Sequence, residues 1–138
     1  MIEVMITIAI IGILASIAIP SFIKYREKAR VAAAITEIQY IEKAIANFAV
    51  ENGRLPVNLA EVEMNELKDP WGRPYQYLRM GDKGKPRKDH SLHPINSDYD
   101  LYSKGKDGKS QAPLTSKNSQ DDIIRANNGG FIGLVSNY

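Results

Sequence analysis

Few residues in this chain have the types and spacing that chemistry demands, and a single glutamate leads them. Glu3 stands at the edge of the run from Val4 to Ile23, twenty residues without a charge, built largely of Ile, Ala, Leu, Val and Met. A carboxylate in an apolar segment is costly, ~2.5–3.5 kcal/mol at the centre of a membrane helix and less near its end. Either Glu3 lies at an interface where water still reaches it, or it meets a positive charge that offsets its burial. A second acidic set is Asp107 with the adjacent pair Asp121-Asp122, at the two ends of a polar loop from Lys104 to Gln120. Three carboxylates could converge where that loop closes, and calcium takes ~6–8 oxygen ligands at ~2.3–2.6 Å. The alternative is three solvated aspartates, with Lys104, Lys106 and Lys109 bringing positive charge close.

Other clusters have plainer readings. His90 and His93 are three apart in a polar loop whose Gly and Pro residues argue against a metal-binding helix. Lys83, Lys85, Arg87 and Lys88 form a basic run in the same loop, read as a solvated hairpin tip rather than a phosphate site. Tyr75, Tyr77, Tyr99 and Tyr102 suit sheet packing better than a stacking platform for bases. There is no cysteine, and no Gly-rich phosphate motif follows a strand, so nothing in the sequence supports an enzyme. The 18 basic and 16 acidic residues leave a net charge of +2, which argues for no particular partner, and no nucleic acid is expected.

The elements that must position these residues follow from hydropathy. A helix needs ~20 apolar residues to cross a ~30 Å hydrocarbon layer, and Val4–Ile23 is just long enough. After Pro20 the pattern stays helical, with Val31, Ala34, Ile35, Ile38, Ile41, Ile45 and Phe48 in one apolar stripe. Asn52-Gly53 is a stop signal. A helix from residue 1 to 52 would run ~78 Å, too long to bury in a domain of this size. Its first half needs lipid or copies of itself. Residues 1–23 are therefore read as a membrane or filament-core segment, and residues 24–138 as an amphipathic helix with a globular domain. Asn58 could cap a short helix to about Leu67. Strands are expected at Gln76–Met80, Tyr99–Ser103, Ile123–Arg125 and Phe131–Val135, with a turn at Asn127–Gly130. The fold class is α+β, a long N-terminal helix packed on a small antiparallel sheet.

Two stretches carry a resemblance. The run from Met1 to Phe22, with Glu3, Gly12 and Pro20 in register, resembles the processed N-terminus of type IV pilins and type II secretion pseudopilins. Asp69-Pro70-Trp71-Gly72-Arg73-Pro74-Tyr75, Tyr102-Ser103-Lys104-Gly105-Lys106-Asp107-Gly108 and Asp121-Asp122-Ile123 resemble major pseudopilins in particular. The resemblance implies a structural subunit of a helical filament assembled from the bacterial inner membrane, then periplasmic or at the cell surface. Its partners would be further copies of the chain, membrane lipid before assembly, the assembly machinery and minor pilins. In that family the chain starts two residues earlier, with an N-methylated aromatic residue. Glu3 would pair with the free α-amino group of a neighbouring subunit, and the helix between Gly12 and Pro20 would lose its bonds in the filament. The Lys104 carbonyl, Asp107, Asp121 and Asp122 would hold calcium, on a loop longer than the family's usual one. Lys24, Arg26, Lys28 and Arg30 favour a cytoplasmic C-terminal flank, whereas the resemblance implies an exported domain. The other readings are a type IV pilus subunit for adhesion or motility, and a membrane-anchored binding module.

Overall fold

The computed structural model describes all 138 residues, Met1–Tyr138. The chain divides into two units, Met1–Arg30 and Val31–Tyr138. Helix α1, Ile2–Asn52, supplies the whole of the first and the opening of the second. In the first unit the hydroxyls of Thr7 and Ser16 donate back to the Val4 and Ile13 carbonyls, at 2.8 and 2.6 Å. Side-chain groups bonded in this way suit a surface with no water. Pro20 lacks the amide that would bond one turn back, yet α1 is continuous through both Gly12 and Pro20 in the single chain.

In the second unit α1 presents Ala34, Ile38, Ile41 and Ile45 as a fully buried stripe, the three- and four-residue spacing that places side chains on one helix face. Four short strands form an antiparallel sheet in chain order: β1 (Gln76–Arg79), β2 (Tyr99–Ser103), β3 (Ile123–Ala126) and β4 (Phe131–Leu134). Leu101 pairs with Tyr77, Ser103 with Ile123, and Ile124 with Gly133. The period of two sends Leu101 and Ile123 into the core shared with α1, together with Leu59, Tyr75 and Tyr99. Ile124 and Ala126 pack on the other face under Ile95, Leu114 and Val135. The sheet is thus covered on both sides, by the helix and by its own long loops. That explains why all of β3 is buried.

The two tyrosines of β2 separate accordingly. Their three-residue spacing puts Tyr99 against Tyr77, with ring centres 5.4 Å apart, and Tyr102 on the loop-covered face. The helix expected from Asn58 to Leu67 is instead a 3-10 turn, Leu59–Val62. Asn58 does cap it, accepting from the Ala60 and Glu61 amides at 3.0 and 3.3 Å. Glu63 then takes φ +59 and its amide closes on Ala60 and Leu59 carbonyls, which ends the turn.

One turn occurs twice. Asp69 accepts the Trp71 and Arg73 amides, while its own amide donates to the Arg73 carbonyl and Gly72 donates to the Asp69 carbonyl. Asp89 does the same with Ser91, His93 and Leu92. Each turn is flanked by a lysine–proline bridge, Lys68 with Pro74 and Lys88 with Pro94. The left-handed position is glycine in the first copy (Gly72, φ +84) and leucine in the second (Leu92, φ +63). A side chain there costs ~1–2 kcal/mol, partly offset by glycine's larger freedom when unfolded. Leu92 is exposed, so its removal sacrifices no packing. Leu92→Gly should therefore raise stability by about 0.5–1 kcal/mol, read from denaturation midpoints. An unchanged or lowered midpoint would show that Leu92 carries no strain.

Candidate functional site

Two places have the makings of a site: the apolar half of α1 and the closure of the long C-terminal loops. Every large apolar side chain from Met1 to Ile23 is between 52 and 98% exposed on the single chain. Covering fourteen such side chains is worth on the order of 20 kcal/mol at about 25 cal/mol per Å². Water is therefore the wrong environment for this surface. α1 is long and apolar enough to cross a membrane. Glu3 lies in its first turn, where the helix dipole favours an anion, and no side chain of its own chain forms a salt bridge with it. A Cβ placed on Gly12 would meet nothing within 4 Å, so no intrachain packing requires glycine there.

The loop closure is built around Asp69 and Asp122. Ser103 donates to Asp69 at 2.6 Å and its hydroxyl accepts the Gly105 amide at 3.1 Å. Arg73 reaches across to the Gly105 carbonyl at 2.8 Å. Gly105, at φ +60, passes so close that a Cβ would stand 2.0 Å from the Asp121 carbonyl oxygen. Only glycine fits that crossing. The Asp107 amide donates to the Asp121 carboxylate at 2.8 Å, and the Gly108 amide donates to the Lys104 carbonyl at 3.2 Å.

Asp122 faces elsewhere. It is wholly buried, and its Oδ2 accepts from the Arg87 guanidinium and the Ser110 hydroxyl. Burial pushes its carboxyl up to about 7, while Ser110 and Arg87 pull the other way. Arg87 is 3% exposed. Its guanidinium also bonds the Ser110 hydroxyl and the Gln111 carbonyl, and lies 4.1 Å from the centre of the Tyr102 ring. The Arg87 amide donates to Asp100 at 2.6 Å, so main chain and side chain are both fixed.

No protein-family model matches the chain. Among curated proteins it is 34% identical over 104 residues to type II secretion system core protein G of Vibrio cholerae serotype O1, an alignment covering 61% of this chain and 71% of the relative. It is 30% identical over 130 residues to the protein of that name from Pseudomonas aeruginosa, covering 79% and 82%. The match to that of Aeromonas hydrophila has the same identity and coverage. The chain belongs to the type II secretion system core protein G family. That places it with the pseudopilins, the reading that its N-terminal run and its Asp69–Tyr75 motif suggested.

Within this core protein G fold, the suggested calcium ligands other than Asp122 are bonded inside the chain, the Lys104 carbonyl by the Gly108 amide, Asp107 by the Lys109 amide and Asp121 by the Asp107 amide. No group of three or more acidic or imidazole side chains is placed to hold a metal. Asp107 and Asp121 lie at the loop crossing, but Asp122 has committed one oxygen to Arg87 and Ser110. Its other oxygen, Oδ1, and Arg87 Nε are buried without partners.

The reading of Arg87 as part of a solvated basic run is corrected by its burial. Sequence could not separate it from Lys83, Lys85 and Lys88, because its partner is 35 positions away. The one available sign was its type, since arginine rather than lysine is suited to buried pairs. Arg125 was legible and missed. A charge inside Ile-Ile-Arg-Ala at the centre of a strand demands buried partners, and it has them in Glu42 and Asp98.

Proposed function

We propose that this chain is a structural subunit of the pseudopilus, a homopolymeric helical filament that rises from the inner membrane into the periplasm and drives protein secretion. The observation that carries this reading is the exposed apolar half of α1 on a chain of the core protein G family. In the bilayer that surface is covered by lipid. In the filament it is covered by the same surface of other copies, so the apolar side chains stay out of water in both states. The domain from Val31 onward then forms the outer shell, and the secretion machinery supplies assembly and minor subunits.

Glu3 sets the register. As a subunit leaves the bilayer, its carboxylate meets the free α-amino terminus of a neighbouring copy, and each charge offsets the desolvation of the other. Between Gly12 and Pro20 the helix opens in the filament, because proline has already removed one of the bonds there. Extended chain covers ~3.3 Å per residue against ~1.5 Å in a helix, so this opening lengthens the subunit.

A photo-crosslinking side chain at Ile13 tests the packing. Co-expression with the secretion machinery should give a ladder of homo-oligomers on irradiation, reduced to monomer when the assembly components are omitted. A lone adduct to an unrelated protein, with no ladder, would show that this surface serves as an anchor only.

A further inference from the structure

The disagreement between the expected calcium ligands and the observed bonding points to a different way of closing the C-terminal loops. We propose that the Arg87 guanidinium is a built-in counter-ion that ties the Lys104–Gln120 loop to β3 and takes the place of a divalent cation. Both terminal nitrogens of the guanidinium donate within the chain, while Nε is buried without a partner. Asp122 and Ser110 accept from Nη2, and the Gln111 carbonyl accepts from Nη1. Asp122 immediately precedes β3, and Ser110 and Gln111 lie inside the loop, so one planar group ties the interior of the loop to the residue that leads into β3. Tyr102 on β2 stacks on the guanidinium, and Asp100 on the same face of β2 fixes the Arg87 amide. Ser119 completes the closure by accepting the Gln111 amide at 3.0 Å and donating back to the Gln111 carbonyl at 2.8 Å.

A cation bound by Asp122 would have to sit beside this guanidinium, with two like charges in a dry interior. Arginine is suited to the task because its fork bonds two acceptors at once and it stays protonated. The chain has no cysteine, so this ion pair stands where a disulfide or metal would otherwise close the loop. The inference concerns the folded domain and does not depend on filament assembly.

The test uses the full chain in detergent micelles. Thermal unfolding is recorded in millimolar calcium and again in excess chelator, with a calorimetric calcium titration alongside. The parent should show the same midpoint in both and no binding heat. Arg87→Lys should lower the midpoint by several degrees. It should also speed tryptic cleavage at Lys106, Lys109 and Lys117, and calcium should not restore protection. Arg87→Met should be more severe, and if it fails to fold, the lysine variant carries the test. Two results would overturn the proposal. One is a calcium-dependent rise in the parent midpoint that Asp122→Asn removes. The other is an Arg87→Lys chain whose midpoint and loop cleavage match the parent's.

Discussion

Glu3→Ala should leave the chain folded and in the membrane but cut filament yield by more than an order of magnitude. The residue is exposed and makes no salt bridge in its own chain, so its removal disturbs no intrachain contact. In the filament the neighbour's α-amino group would be left desolvated and unpaired. Breaking a buried pair from one side costs ~3–5 kcal/mol. At ~1.4 kcal/mol per tenfold, even the lower figure exceeds a hundredfold in the affinity of one subunit for the next. Glu3→Gln should fail as well, because an amide keeps the shape and loses the charge. Parent-like amounts of sheared filament from either variant would remove this role for Glu3.

Arg125→Met should destabilise the folded domain by about 2–4 kcal/mol, somewhat below the range for a fully buried pair because its acidic partners keep partial contact with water. Arg125 is 4% exposed and donates to four oxygens on three residues: Glu42 of α1 at 2.7 Å, both Asp98 oxygens at 2.9 and 2.8 Å, and the Tyr99 carbonyl at 3.2 Å. It also lies over the Tyr99 ring at 4.1 Å. Methionine keeps the bulk and removes the charge, so the loss reports the network rather than a cavity. Burial works to raise the Asp98 pKa, and Arg125 together with the Tyr99 amide overrides it, leaving that carboxyl below its ordinary value. A depressed carboxyl contributes stability above its unfolded pKa of ~3.9, and that contribution disappears as pH falls through the folded value. Parent stability should therefore drop on acidification below about pH 4, and Arg125→Met should flatten that part of the profile. Denaturant midpoints across pH 2–7 check both statements. A parent-like midpoint at neutral pH would mean the network contributes nothing.

Much of the architecture was legible because the signals were local. The stop at Asn52-Gly53 agrees with the observed end of α1, and the stripe through Ala34, Ile38, Ile41 and Ile45 is the buried face of the helix. All four strands fall where the apolar runs placed them, to within a residue at their ends. What escaped was non-local or depended on backbone detail. Nothing near Asn58 announces that Glu63 will turn left-handed and end the helix after one turn. The repeat of the Asp69 turn at Asp89 is hidden because only lysine, aspartate and proline recur, with leucine replacing glycine. The partner of Asp122 escaped for a related reason. Three aspartates suggested a cation from outside, while the cation that meets Asp122 is a side chain from a distant loop. Such pairs are selected by packing across the sheet, which period and composition do not encode.

In the proposed function the exposed half of α1 leaves lipid for the core of a homopolymer. Electron microscopy of filaments sheared from cells producing the chain with its secretion machinery tests it most directly. The expected images show filaments of this chain alone along their shafts, with Met1–Ile23 at the axis and helical bonding interrupted between Gly12 and Pro20. The domain from Val31 should lie outermost. Absence of filaments, with the chain retained in the membrane as a monomer under assembly conditions, would contradict it.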